Sequence, residues 1–296
     1  MVSKDKMNLD EFFKRIGFSG PFEKPDQVTL NAIHKRIVMT VPFENLSIHC
    51  GEKIGMDHEA IFNKIVREQR GGWCMEGNYL LAWVLRELGY DSVMLGARVI
   101  FGHANDPSAP ESHLINMVTI DGRRYIADVS FGLSFQIWEP IELVSGKDHT
   151  EAAGVFRLID QDGLWFFEKT SRKQKILNPD LAKSGEKEKK PTEQIYCFTL
   201  VPREKDHFTD INHKLQTDPN QLFTTKSITS LQTPAGFRIL LGWTYTEVTF
   251  RPDEGVDLVH TRDLSDEEVE TILREKFNIK LKNKLSPKNN KIGHGL

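Results

Sequence analysis

The sequence lacks several features that would place a protein in a class at once. It has only three cysteines, Cys50, Cys74 and Cys197, which lie far apart and form no CxxC motif. This spacing argues against a disulfide framework and a cysteine-rich zinc site, so we expect no metal and a cytoplasmic location. The 296-residue chain also has no apolar run approaching the roughly 18 residues that a membrane helix needs.

An excess of charge of one sign is missing as well. The formal net charge is -3, which gives no basic footprint for nucleic acid or for an anionic membrane surface. Residues 1–6 contain no apolar core of a signal peptide. With 39% hydrophobic and 27% charged residues, the composition is that of an ordinary globular protein. We therefore predict that the protein binds neither nucleic acid nor membrane.

The hydrophobic pattern changes twice along the chain and predicts an α+β fold. Residues 1–92 are predicted to form short amphipathic helices, one of them capped by Asp57. Residues 93–200 are predicted to form closely spaced short strands, which is typical of a small antiparallel barrel, with a charged insertion near residues 170–192. Residues 201–296 mix predicted strands at 223–231, 237–245 and 247–251 with helices, the last of which starts with a capping box at Ser265.

The most informative segment is residues 70–78. Two glycines, Gly71 and Gly72, precede Cys74, and the residues after it have an apolar stripe with helical spacing. Cys74 is therefore predicted at or near a helix N-terminus, where unpaired N–H groups and the helix dipole favour negative charge. A thiol in this place tends to ionise, and the thiolate is the nucleophile. A buried structural cysteine is the alternative, which a nearby base and carboxylate would disfavour.

A predicted hairpin supplies both of these groups. Its two-residue turn at residues 121–122 sets a register in which His113 lies opposite Ser130. Asp128 then shares a face with His113 as its diagonal cross-strand neighbour, so that the two side chains can meet. An imidazole bound to a carboxylate through one nitrogen can face Cys74 with the other. Other histidines, including His34 and His207, lack such partners and are predicted to be surface or core residues.

A Cys-His-Asp site does not by itself define the reaction. Thiol proteases, transglutaminase-like enzymes and acyltransferases share this chemistry. A thiol amidase or peptidase-type hydrolase is thus an alternative to an acyltransferase. A catalytically silent protein that binds CoA or another small molecule is a third possibility, and it would have no need for an activated nucleophile.

The chain resembles the arylamine N-acetyltransferase family over nearly its whole length. The resemblance lies in residues 41–46, 70–78, 113–114 and 125–132, with later matches at 142–148, 215–219 and 223–224. It implies a helical bundle, a β barrel and an α/β lid joined by a helical linker, with a triad arranged as in cysteine proteases. It also implies acetyl-CoA as acyl donor, an arylamine or hydrazine as acceptor, and a place in xenobiotic metabolism.

The resemblance assigns roles to particular residues. Those implied are Cys74, His113 and Asp128 as catalytic triad, Phe43, Val99 and Phe131 in the acceptor pocket, and Gly132 and Phe208 beside the coenzyme. The chain also departs from the family pattern. Ser130 stands where the family commonly has glycine, and Trp73 and Gly77 alter the motif around the nucleophile.

Overall fold

The computed structural model describes residues 6–20, 22–100, 106, 108–178 and 192–290 of the chain. The charged residues 183–190 of the predicted insertion and the end of the tail beyond residue 290 lie outside the described residues. Over the described ranges the helices are α1 (Leu9–Ile16), α2 (Gln27–Thr40), α3 (Leu46–His49), α4 (His58–Phe62), α5 (Cys74–Glu87), α6 (Thr209–Thr217), α7 (Leu222–Thr225) and α8 (Asp266–Phe277).

Side-chain caps define where the N-terminal helices begin. Asn8 accepts backbone N–H groups of the first turn of α1, and α4 begins at the predicted cap Asp57. Such caps satisfy N–H groups that have no partner inside the helix. The helix start predicted at Asp57 is confirmed. After Phe62 the chain continues as a π-helical turn over Asn63–Arg67.

An antiparallel sheet of eight strands confirms the predicted barrel and, with the helices, the α+β class. In spatial order its strands are β5 (Ile141–Glu142), β4 (Arg123–Ala127), β3 (His113–Ile120), β2 (Asp91–Val99), β10 (Thr192–Pro202), β8 (Leu164–Thr170), β7 (Gly154–Gln161) and β6 (Asp148–Glu151). Helix α5 packs against β2 and β3. The helix that begins at Cys74 therefore lies directly on the strand that begins at His113.

A second sheet has six strands. In spatial order they are β1 (Phe43–Glu44), β11 (Ile228–Thr233), β12 (Gly236–Leu241), β13 (Thr244–Arg251), β14 (Val256–Asp263) and β9 (Lys173–Ile176). Neighbours are antiparallel except β14 and β9, which are parallel. Because β1 and β9 come from residues before 200, sheet membership crosses the predicted boundaries, and the three-part division of the chain stays a prediction.

The strand predictions in the last third are partly wrong. Residues 222–225 form α7, so the strand predicted from 223 begins only at Ile228. The strand predicted over 237–245 is broken by a turn at Gly242, whose φ of 56° is left-handed, and Leu241 pairs with Thr244 across it. Strand β14 was not predicted, because its polar residues hide the apolar alternation.

One continuous apolar core joins the helices to the eight-stranded sheet. Fully or nearly fully buried members include Trp73, Val84, Leu114, Phe167 and Phe198. Burying a side chain of this kind stabilises a fold by about 1.5–3 kcal/mol. This core holds α5 rigidly against the sheet. Among the described residues, no helix has the length and apolarity to cross a membrane.

Candidate active site

The predicted helix start at Cys74 is confirmed, since α5 begins at this residue. The turn before it is seated on β1. Gly72 donates its N–H to the Pro42 carbonyl at 3.1 Å and accepts the N–H of Glu44 at 3.0 Å. Gly71 has no room for a side chain, because a Cβ there would collide with the Pro42 carbonyl oxygen. Gly71 is thus required by the close approach of two chain segments, and a Cβ on Gly72 would lie 2.9 Å from the Glu76 Cβ.

Two largely buried ion pairs hold the turn at residues 70–73 in place. Arg70 donates to both carboxylate oxygens of Glu44, at 2.8 and 3.1 Å, and their side chains are 4% and 0% exposed. Burial would raise the pKa of Glu44, but the charges of Lys64 and Arg70 outweigh it and the pKa is lowered. Glu76 accepts the Trp73 N–H at 3.2 Å and two bonds from Lys64 at 2.9 Å. Burial raises the pKa of Glu76.

The structure brings Cys74, His113 and Asp128 together, all of them buried. His113 Nε2 lies 2.7 Å from Asp128 Oδ2, and the Cys74 side chain is close enough to His113 to help raise its pKa. Cys74 Sγ itself lies 3.9 Å from the carbonyl oxygen of Ser112, the residue before His113. Burial alone would lower the pKa of His113, but the Asp128 charge and the bonds to Asp128 and Cys74 raise it to about 10. The pKa of Asp128 is lowered despite its burial, chiefly by His113.

The contact between His113 and Asp128 does not arise from the predicted cross-strand register. The ladder of β3 and β4 keeps the predicted pairing up to Asn116 and Ala127 and then ends. His113 pairs with Ala97 of β2 instead of lying opposite Ser130. Residues 128–130 leave the strand, and the chain turns there toward α5. The register prediction is therefore wrong beyond Ala127, because side-chain bonds replace the ladder.

Asn78 makes three of those bonds, and the sequence reasoning missed it. Its Nδ2 donates to Asp128 Oδ1 and to the Leu114 carbonyl, both at 2.8 Å, and its Oδ1 accepts the Val129 N–H at 2.9 Å. Asn78 follows Cys74 by four residues and so lies on the same face of α5. That spacing was the available signal. An asparagine one turn after a helix-start nucleophile is well placed to hold the carboxylate.

His34 lies on the other side of Asp128. It is a buried core residue, as predicted, but its hydrogen bonds beside Asp128 were not predicted. Its Nδ1 lies 2.8 Å from the Trp138 carbonyl, and the Asp128 N–H points at its Nε2 at 3.2 Å. A carbonyl only accepts, so Nδ1 carries the proton and Nε2 accepts from Asp128. Burial lowers the pKa of His34, which favours this neutral form. Gln136 donates to the Asp128 carbonyl, so Asp128 is hydrogen-bonded by Asn78, His34 and Gln136.

One of the predicted pocket residues packs against His113, and the other two lie near it. The Phe131 ring meets the His113 ring edge to face, with centroids 5.0 Å apart. Phe43 lies on β1 beside the turn before Cys74, and its ring centroid is 6.2 Å from that of Phe223. Val99 pairs with Tyr196, whose ring centroid is 5.2 Å from that of His113. Aromatic surfaces therefore surround the imidazole, while their role with an acceptor stays a prediction.

The two predicted coenzyme residues lie in different surroundings. Gly132 has a φ of 82°, and a Cβ on it would lie 2.8 Å from Phe43 Cγ. Phe208 is fully buried, and its ring contacts that of its half-exposed neighbour His207. Their part in binding a coenzyme stays a prediction. Among the described residues, no group of three or more His, Cys, Asp and Glu side chains is placed to hold a metal.

A charged cluster lies just before His113. Glu111 accepts from Arg203 at 2.8 and 3.0 Å and from His207 Nε2 at 2.7 Å, and Arg98 lies 3.7 Å away. Although burial would raise the pKa of Glu111, the bonds from Arg203 and His207 lower it. One carboxylate thus faces two guanidinium groups, so this cluster is not negatively charged. The cluster also corrects the prediction that His207 lacks a partner.

A family model and a related sequence agree on the family that this chain resembles. A family model described as N-acetyltransferase matches residues 26–286. The arylamine N-acetyltransferase of the chicken (Gallus gallus) pineal gland, isozyme NAT-10, is 50% identical over 283 residues. The match covers 96% of this chain and 98% of that protein.

Solved structures agree with the sequence comparison. The arylamine N-acetyltransferase of M. smegmatis is 26% identical, with a TM-score of 0.79 over 93% of each chain. The Mycobacterium marinum arylamine N-acetyltransferase, solved in complex with CoA, shares the fold at 23% identity. Its TM-score is 0.77 over 92% of this chain and 93% of that one.

Proposed function

Because this chain belongs to the arylamine N-acetyltransferase family, we propose that it transfers an acetyl group from acetyl-CoA to an arylamine or arylhydrazine nitrogen. The observation that supports this most is the imidazole of His113, whose Nε2 lies 2.7 Å from Asp128 Oδ2 and whose pKa is raised by Asp128 and by the adjacent Cys74 side chain. In the proposed mechanism Nδ1 is the nitrogen that exchanges a proton with Cys74. A thiol paired in this way at a helix start is an activated nucleophile. Acetyl-CoA as donor is further supported by the CoA complex of a protein with this fold.

In the first half-reaction the Cys74 thiolate attacks the thioester carbonyl carbon. A C–S bond forms to Cys74, and negative charge develops on the carbonyl oxygen. Backbone N–H groups of the first turn of α5 have no intrahelical partners and can stabilise that charge. The bond to the CoA sulfur then breaks, and the His113 imidazolium gives its proton to the departing thiolate. Acetyl-cysteine, neutral His113 and CoA remain.

In the second half-reaction the amine replaces CoA. Its nitrogen attacks the acetyl carbon, and neutral His113 takes the proton that the nitrogen loses. The Cys74 thiolate leaves, so the thiolate–imidazolium pair is restored. Asp128 keeps the imidazole oriented throughout and stabilises its charged form.

The surroundings of the triad suit an aromatic acceptor. Phe43 and Phe131 would supply an apolar slot for the ring, with Val99 as a third wall, and Gly132 and Phe208 would border the coenzyme. The chemistry needs a reduced thiol. This requirement fits the cytoplasmic location predicted from three scattered cysteines.

Initial-rate kinetics test the proposed function. Release of CoA from acetyl-CoA should depend on an added arylamine such as aniline, and double-reciprocal plots at several amine concentrations should be parallel. A hydrolase on the same triad would release CoA, or cleave amides, at a rate that the amine does not change. Amine-independent release would overturn the proposal in favour of that hydrolase.

A further inference from the structure

Gly77 lies in the interior of α5 at a place where no side chain fits. A Cβ built on it would lie 2.6 Å from both Cβ and Oγ of Ser130. Real Cβ atoms essentially never approach a heavy atom so closely. Glycine destabilises a helix interior relative to alanine, so a close approach of another chain segment explains its presence. Here that segment is the loop that contains Asp128.

The contact lies on the catalytic face of the helix. Gly77 follows Cys74 by three residues, so the two share a face of α5. Ser130 is 5% exposed, and its N–H donates to Asp128 Oδ1 at 3.1 Å. Its hydroxyl lies 3.5 Å from the carbonyl oxygen of Gly72, in the turn before Cys74. Ser130 therefore touches the segment that presents the nucleophile and the carboxylate that orients the base.

We propose that Gly77 and Ser130 are a matched pair, in which the Ser130 side chain takes the space of a residue-77 side chain and so fixes how closely Asp128 approaches the Cys74 helix. Ser130 is a positioning residue in this proposal, because it acts through Asp128 and His113. The inference deepens the proposed function and rests on it. It concerns the assembly of the triad and leaves the acceptor open.

The predicted consequence of a side chain at residue 77 follows from the position of the Ser130 Cβ. Rotation about the Ser130 side chain can move Oγ away, but it leaves Cβ in place. Gly77→Ala must therefore push the backbone of the 128–130 loop outward. A misplacement of about 1 Å can slow a positioned reaction by about 100-fold. Removing the Ser130 Cβ should relieve the same collision.

The test is a set of variants whose readout is alkylation of Cys74 by iodoacetamide, followed against pH. This reaction needs the thiolate–imidazolium pair but neither CoA nor amine. We expect Gly77→Ala to slow alkylation at pH 7 by about 100-fold and to shift its pH profile upward. Gly77→Ala/Ser130→Gly should regain a rate within about threefold of the parent and its pH profile. Gly77→Ala/Ser130→Ala is the matched control and should stay slow, because it keeps Cβ.

The outcomes separate cleanly. A normal alkylation rate in Gly77→Ala, or a double variant with Ser130→Gly no faster than Gly77→Ala, would overturn the pairing. If Gly77→Ala does not fold, the double variants decide: a folded and reactive Ser130→Gly combination supports the pairing, and an unfolded or unreactive one overturns it. A parent protein that alkylates normally but is never acetylated by acetyl-CoA overturns the proposed function and leaves this test intact.

Discussion

Asn78 donates a hydrogen bond of 2.8 Å to Asp128, and this bond joins the helix that begins at Cys74 to the loop that contains Asp128. The same asparagine holds the Leu114 carbonyl beside His113 and the Val129 N–H beside Asp128. One buried side chain thus contacts the surroundings of all three proposed catalytic residues. The triad is assembled by side-chain bonds between helix and loop more than by strand pairing.

Replacing Asn78 should therefore slow the reaction of Cys74 by more than the loss of fold stability alone would explain. Asn78→Leu leaves a buried carbonyl and a buried N–H without partners, at a cost of about 1–3 kcal/mol each. We expect Cys74 alkylation to slow by at least about tenfold, since Asp128 loses a positioning bond. Urea unfolding and alkylation rates would measure the two effects.

Asn212 supplies the matched control. It is buried, its Nδ2 donates to the Ile54 carbonyl at 2.9 Å, and it lies on α6 outside the triad. The Ile54 carbonyl also accepts from Gln216 Nε2 at 2.8 Å, so Asn212→Leu leaves it with a partner and should leave Cys74 alkylation unchanged. Equal slowing in both variants would show that the effect of Asn78→Leu does not depend on its contact with Asp128.

The negative charge of the Asp128 side chain should contribute far more to kcat than its shape does. Asp128→Asn keeps the volume but removes the charge that holds the pKa of His113 near 10. By analogy with other triads we expect kcat to fall by about 10⁴-fold. The pH at which His113 titrates, followed by NMR of its ring protons, should fall in the variant. An unchanged histidine titration would contradict the ion pair.

The same ion pair predicts how stability depends on pH. A histidine whose folded pKa lies near 10 stabilises the fold fully below its unfolded value of about 6.5, and this contribution is lost as pH rises toward 10. Asp128, whose pKa is lowered in the fold, stabilises the protein at pH values above its unfolded pKa, and this stabilisation is lost as the pH falls into the acid range. The difference in Tm between the parent and Asp128→Asn should therefore shrink steadily from pH 6.5 to 10. A difference that stays constant over this range would contradict the raised pKa.

The buried pair of Arg70 and Glu44 should be essential for the fold. Arg70→Met leaves the Glu44 carboxylate buried without its partner and should cost about 3–5 kcal/mol in urea unfolding. Combining it with Glu44→Leu removes the stranded charge and should recover part of that loss. Arg262→Met is the control, because the pair of Arg262 and Glu268 is about half exposed and should cost at most about 1 kcal/mol. Similar losses in both single variants would contradict this account.

Helix starts, helix caps and the hairpin turn were predicted correctly from the sequence. The helix start at Cys74, the cap at Asp57 and the capping box at Ser265 all occur as predicted, because each depends on neighbouring residues. The turn at residues 121–122 likewise pairs its flanking strands in the expected register. Turn and capping chemistry act over a few residues and need no knowledge of the rest of the fold.

Long-range contacts were beyond the sequence. His34 reaches Asp128 across 94 positions of the chain, and no local pattern indicates that its ring accepts a backbone N–H. The partners of Glu111, Arg203 and His207, come from more than 90 residues later. The end of the β3–β4 ladder after Ala127 also depends on Asn78, which lies on a different element. Such contacts arise from tertiary packing, which overrides local propensity.

Intact-mass analysis after mixing with acetyl-CoA alone tests the central claim most directly. The parent protein should gain one acetyl group, mapped to Cys74 by peptide analysis, and an added arylamine should then remove it. Cys74→Ser should gain none on that peptide. A folded parent protein that stays unmodified, or one acetylated elsewhere than at Cys74, would contradict the proposed acetyl-cysteine intermediate.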